Sequence, residues 1–343
     1  MLDTGLSMDA VSVVLVWTAV AVYTLAFIAY TIDLARRSDL AIKAKDAAGA
    51  RVLVGVGGGG LAGGVAERGP DALEVAPSQR PRYLWARIGT SLTVLGFLFH
   101  VAADVLRGIA AGRVPWSNMY EFALTGTMLV VAVYLVVLFR YDLRFLGSFL
   151  TGLVIVLLGG AALAYYVEVV PLADPLKSVW LVIHVFVASL ATAVFALAFA
   201  LSVLQLMQAR RERLTVAASG DADGAAVAKT GPGFLRTLPG ADALESLAYR
   251  FAIVGFILWT FTLIAGSIWA NDAWGRYWGF DTKEVWTFVI WTLYAGYIHA
   301  RATRGWRGTR SAWLSIIGFS AVIFNFTIVN QFFKGLHVYS GLS

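Results

Sequence analysis

Eight separate apolar windows leave this chain few folds to adopt. They fall near residues 10–32, 88–107, 119–139, 146–170, 178–206, 249–270, 285–303 and 311–333. A membrane-spanning helix needs about 20 apolar residues. In lipid the backbone must satisfy its own hydrogen bonds, which only helices and closed barrels achieve. The ~10-residue segments of alternating polarity that mark an outer-membrane barrel do not occur here. The expected fold class is therefore all-α: a polytopic integral membrane protein of about eight transmembrane helices. Composition agrees, with 59% hydrophobic and 14% charged residues and a mean hydropathy of +0.74. No internal repeat stands out, and residues 1–343 read as a single membrane domain.

Charge orients the windows. Of the 27 Lys and Arg residues, 21 lie in the connections 33–87, 140–144, 207–250 and 301–310. The opposite connections hold only Arg107, Arg113, Lys177, Arg276, Lys283 and Lys334. Basic loops stay in the cytoplasm, so both termini are expected outside, a parity that eight helices satisfy. The net charge of +6 is then topological, and its spread over four loops argues against a nucleic-acid surface. The first Lys or Arg is Arg36, so the first apolar run lacks the basic start of a signal peptide and reads as a retained helix. Without cysteine the chain has no thiol of its own for catalysis, metal binding or disulfides. Residues 38–82 and 209–241 are rich in Ala, Gly and charge and read as disordered cytoplasmic loops. Neither contains a phosphate-binding P-loop pattern.

Two stretches on the outer side carry chemistry. In RVPWSNMYEF, Asn118 with Glu121 three residues on resembles a capping box opening the third helix. WGRYWGFDTKEVW, from Trp274 to Trp286, packs aromatic rings, two cations and two acids into one connection. An interfacial tryptophan belt accounts for Trp269 and Trp291. It does not account for Trp274, Trp278 and Phe280 concentrated in one loop with glycines between them.

The four histidines sort by depth at 1.5 Å per residue. His184 lies about 9 Å below the outer surface, counted from Ser178. His337 follows the last helix on the same side, in KGLHVYSG. His100 lies about 10 Å deep from Arg107, and His299 about 22 Å down the seventh helix from Glu284. His184 and His337 can share one outer site, whereas His299 stands alone near the inner leaflet. Buried ionisable groups in a bilayer are costly and by default functional. Two imidazoles facing an aromatic shelf suggest haem b. Indole faces suit a flat apolar macrocycle, and Arg276, Lys283 or Lys334 can pair with its propionates. Asp281 is placed to orient either a ligand or a propionate-side cation. His100 is read as structural, with a role on the outer haem as the alternative.

These residues resemble a known family. WGRYWGFDTKEVW is similar to the tryptophan-rich WWD signature of haem-handling proteins in cytochrome c maturation, and within that group the chain resembles the CcsA (ResC) family of system II cytochrome c synthases. VPWSNMYEF, WLVIHVFVASLATA, YAGYIHAR and GLHVYSG extend the resemblance over most of the membrane part. The signature commonly has Trp-Asp-Pro-Lys-Glu at its core where this chain has Phe280, Asp281, Thr282, Lys283 and Glu284. An aromatic replaces an aromatic, and Thr282 is expected to cap the seventh helix in place of the proline.

The resemblance implies the following. His184 and His337 are the axial ligands of an outer haem laid against Trp274, Trp278, Phe280 and Trp286, with Asp281, Arg276 and Lys283 at its polar edge. His299 is one ligand of an inner haem whose second ligand comes from a CcsB (ResB) partner subunit. The function implied is haem export and its presentation at the extracytoplasmic face of the plasma membrane. There the CXXCH segment of an apocytochrome c docks for thioether attachment, a holocytochrome c synthase activity that needs the partner. The competing readings are a system I haem exporter or lyase, a membrane cytochrome b, which should show paired histidines at two depths, and a solute transporter, which should show broken helices.

Overall fold

The computed structural model describes residues 7–56, 83–170, 177–220, 232–303, 305–333 and 335–337, with backbone alone over 40–56 and 218–220. The helices are α1 (Met8–Val56), α2 (Leu84–Ala111), α3 (Met119–Leu138), α4 (Gly147–Ala164), α5 (Val179–Gly220), α6 (Ala241–Trp274), α7 (Thr282–Ala302) and α8 (Thr309–Phe324). After α8 a π-helical turn over Asn325–Val329 leads into a last short helix, α9 (Asn330–Phe332). Among the described residues the fold is all-α, and seven helices are long and apolar enough to cross a membrane. The eighth expected span coincides with α7, which has 21 residues and is about long enough to cross. It falls short in apolarity because it carries Trp, Thr and Tyr where its neighbours carry Leu and Val.

Two expectations about helix ends change. Helix runs through 38–56 at the end of α1 and through 209–220 at the end of α5, and a 3-10 turn covers Gly233–Thr237. These parts of 38–82 and 209–241 are therefore not coil. Ala, Lys and Arg favour helix, so an alanine-rich charged stretch continues a helix already nucleated by the span before it. The rest of both segments, 57–82 and 221–231, lies outside the described residues, as does Lys334. The cap of α7 is Asp281 rather than Thr282: Asp281 and Glu284 form a reciprocal capping box, with Glu284 Oε2 accepting from the Asp281 N–H at 3.1 Å. Asn118 caps α3 as expected, accepting from the Glu121 N–H at 2.9 Å.

Contacts between helix termini define two ends of the bundle. At one end Arg107 of α2 pairs with Asp9 of α1 at 2.6 Å and with Glu121 of α3 at 3.0 Å. Ser178 before α5 donates to Asp272 of α6 at 3.0 Å, and Lys283 of α7 bonds Asn330 of α9. At the other end Asp33 of α1 accepts from the Ala86 N–H of α2 at 3.1 Å. There too Gln205 of α5 donates to the Gly308 carbonyl at 2.9 Å, and Arg301 of α7 pairs with Glu245 of α6 at 3.2 Å. The chain thus runs up and down through the bundle, and the connections poor in Lys and Arg share one end. The centre is α5, which packs on α3, α6 and α8. Its Ala191, Ala193, Phe195, Leu197 and Leu201 are fully buried, and the Phe195 ring stacks on Tyr294 of α7 at 3.6 Å.

Candidate functional site

At the end poor in basic residues, the start of α5, the last turns of α6, the start of α7 and the tail after α9 converge. His184 projects from α5 toward α6. Its Nδ1 lies 2.9 Å from the Thr262 carbonyl. A carbonyl only accepts, so Nδ1 carries the proton and Nε2 carries the lone pair, the tautomer a metal ligand needs. The ring fits because α6 has Gly266 beneath it: a Cβ there would sit 2.7 Å from His184 Cε1.

His337 is fixed in the same tautomer by a different group. Its Nδ1 donates to Asp281 Oδ2 at 2.6 Å, and the Leu336 N–H donates to Asp281 Oδ1 at 3.3 Å. The His337 hydrogen bond, acting against partial burial, holds the Asp281 carboxyl below the ordinary carboxylate range. The tail passes very close: a Cβ on Gly335 would lie 1.9 Å from Asp281 Oδ1. Asp281 therefore does two jobs, starting α7 and aiming an imidazole from the tail.

Both histidines contact Trp269, which is only 2% exposed. Its ring stacks on His184 at 5.9 Å and 17° and meets His337 edge-on at 5.5 Å. Trp274 lies 4.8 Å from both Trp269 and His337. His184, His337, Trp269, Lys283 and Asn330 all border one cavity of about 470 Å³, whose apolar walls come from α3, α4, α5 and α8. That volume is in the range of roughly 300–1,000 Å³ typical of small-molecule sites. Trp278 and Tyr277 border an adjoining recess with both histidines.

Other residues expected at the site sit elsewhere. Trp286 packs on Phe324 at 4.5 Å and borders neither space. Phe280 is 80% exposed and meets Trp278 edge-on at 6.2 Å. Its φ of 56° is left-handed, a conformation a bulky side chain seldom adopts. Arg276 turns to Glu284 at 3.8 Å and lies over Gly279, leaving Lys283 as the cation that lines the cavity. His299, expected at a separate inner site, is in the last turns of α7, exposed and outside both spaces. His100 is fully buried with both nitrogens engaged: Nε2 donates to the Leu124 carbonyl at 2.9 Å, and Nδ1 accepts from the Tyr23 hydroxyl at 3.3 Å. That is a structural histidine. Among the described residues, no group of three or more His, Asp and Glu could hold a metal ion.

Sequence reasoning assigned Trp269 to the lipid interface, whereas the ring is buried at the centre of the site. The usable signal was its position five residues before Trp274, on the last turns of the same helix. Trp116 was also passed over. It is 6% exposed and packs with Leu181, Val185 and Trp269.

Comparison with known proteins agrees over this region. The family model described as cytochrome C assembly protein matches residues 116–337. A protein named cytochrome c biogenesis protein CcsA from Guillardia theta is 32% identical over 265 residues, covering 75% of this chain and 86% of that one. The protein of that name from Synechococcus elongatus is 34% identical over 284 residues, covering 74% and 87%. The one from Porphyra purpurea is 31% identical over 261 residues, covering 69% and 82%.

Proposed function

The chain belongs to the cytochrome c assembly protein family, and from that premise we propose that it binds haem b as substrate between His184 and His337 and presents it to an apocytochrome. A role in cytochrome c biogenesis and a multi-pass membrane location follow from the family and the helices. The single observation that carries the finer reading is the pair of imidazoles with one tautomer, both against Trp269 on one cavity.

The residues fit an iron porphyrin. With no group of three or more His, Asp and Glu among the described residues that could hold a metal ion, the two imidazoles suit an iron that brings four equatorial nitrogens of its own. The Thr262 carbonyl and the Asp281 carboxylate each hold a ring by its Nδ1–H, which orients the ring and raises the basicity of Nε2. Trp269 and the mostly apolar helix walls line the cavity, and half-buried Lys283 gives a cation for a propionate. Bound haem supplies vinyl groups to which the two thiols of a CXXCH segment add as thioethers. The protein's part is positioning: ring clamped, vinyl edge reachable, no thiol of its own to compete. His337 is on a short tail rather than in a helix, so it is the ligand we expect the substrate's own histidine to displace.

His299 supports a partner. It ends an exposed face of α7 formed by Val285, Phe288, Thr292, Gly296 and His299. An imidazole facing lipid would be unfavourable, so a CcsB-like subunit covers this face and supplies the second ligand of an inner haem. The complex then works as a holocytochrome c synthase in the plasma membrane, with cavity and both termini on the extracytoplasmic side, a reading that the 21-to-6 division of basic residues supports.

The test is reconstitution of the complex with haem, reductant and a CXXCH peptide. Covalent haem on the peptide is expected with the wild type, absent with His184→Ala, and recovered in part with added imidazole. Full attachment by both His184→Ala and His337→Ala overturns the ligand assignment.

A further inference from the structure

An acid that the reading above leaves unused lies one layer behind the tryptophans. Asp104 is half-buried in α2. The neighbouring cations do not serve it, because Arg107 and Arg113 are taken up by Asp9 and Glu121. A carboxylate in a membrane helix is costly and by default functional. Asp104 Oδ1 accepts from the Thr125 hydroxyl at 2.7 Å, and Thr125 Oγ1 accepts from the Trp116 indole N–H at 3.0 Å. Trp116 in turn belongs to one buried cluster with Trp269 and with Leu181 and Val185, which flank His184 on α5.

The direction of these bonds is informative. Trp116 has one donor and no acceptor, and a threonine hydroxyl can either donate or accept. Thr125 alone could turn its proton toward the indole and repel it. An acceptor-only carboxylate behind Thr125 draws that proton away and fixes an oxygen lone pair toward Trp116. The order Asp104, Thr125, Trp116 therefore locks the indole in one orientation from the far side of the bundle.

Resting on the proposed haem reading, we infer that Asp104 and Thr125 are positioning residues for the outer haem. They act through Trp116 to hold Trp269 and the His184 turn at the geometry of the iron ligand. They touch neither ring, and they belong to α2 and α3, whereas His184 and Trp269 belong to α5 and α6.

The experiment compares Thr125→Val, Thr125→Ser and Asp104→Leu in the complex, purified with haem. The quantity read is the low-spin fraction of the outer haem, by visible and electron paramagnetic resonance spectra under conditions that leave only that haem bound. Valine keeps the shape of threonine and removes both bonds; serine keeps both. Thr125→Val and Asp104→Leu are expected to lower the low-spin fraction roughly two- to tenfold, a smaller effect than the 10–100-fold typical of groups that touch the ligand. Added imidazole should restore the low-spin signal, and Thr125→Ser should match the wild type. Wild-type spectra in Thr125→Val and Asp104→Leu overturn the relay and leave the haem reading standing. A loss that imidazole does not restore reports general disruption and also overturns the relay. Wild-type protein without haem ends both proposals.

Discussion

His100 and His184 lie on transmembrane helices, and each has a ring nitrogen 2.9 Å from a backbone carbonyl. In the α1–α2 part of the molecule, His100 also accepts from Tyr23, so both nitrogens are used up inside the packing. In the α5–α8 part, the second nitrogen of His184 belongs to a ring that borders a cavity shared with another histidine, a lysine and an indole. The first arrangement secures three helices, α1, α2 and α3, to one another. The second leaves an aimed donor beside a space large enough for a ligand. Identical side chains in equally apolar surroundings thus take opposite roles, and the deciding feature is whether the second nitrogen has a protein partner. The family match begins at Trp116, after α2, and runs to His337, so it covers the second arrangement and not the first.

The sharpest way to break this comparison is to remove the rings. His184→Ala or His337→Ala should abolish the low-spin signal of the outer haem in the purified complex, with imidazole restoring it. The next effect in size is Asp281→Asn, which weakens the hold on His337 while keeping its neighbours. A loss of about 10–100-fold in haem affinity is expected, measured by titration of the haem-free complex. Lys283→Met should cost about tenfold in the same titration, the scale of a hydrogen bond to a charged group. Arg276→Met should change little, since Arg276 does not border the cavity.

Acid sharpens the account further. Asp281 is held below the ordinary carboxylate range, chiefly by the hydrogen bond from His337. A depressed pKa means the interaction is complete above the ordinary value near ~3.9 and is lost as pH falls through the lower folded value. Haem retention should therefore be unaffected by this group down to about pH 4. Below that, wild type should show a loss attributable to Asp281 that Asp281→Asn lacks. The smallest effect on the site belongs to His100→Phe. It removes a hydrogen bond to the Leu124 carbonyl, which the Thr127 hydroxyl still reaches, takes away the partner of the Tyr23 hydroxyl, costs about 1–3 kcal/mol in thermal unfolding, and leaves the haem spectrum unchanged.

Much of this could be read from residue order. Apolar runs of about 20 residues announced the spans, because lipid admits few alternatives. The depth of His184 and the tail position of His337 placed both at one end, since helix rise converts sequence separation into distance. Three features were not legible. Trp269 looked like a membrane belt because its composition is the same whether the ring faces lipid or core. Phe280 and Trp286 fell within the aromatic stretch, yet side-chain direction in an irregular loop depends on dihedrals such as the φ of 56° at Phe280. The charged ends of α1 and α5 read as coil because composition cannot show that a helix is already running into them.

The most direct measurement is the electron paramagnetic resonance spectrum of the oxidised, haem-loaded complex under conditions that leave only the outer haem bound. The account predicts a low-spin bis-imidazole signal in the wild type that becomes high-spin in His184→Ala and, separately, in His337→Ala, while His100→Phe keeps the wild-type signal. A low-spin signal unchanged in both alanine variants would contradict it.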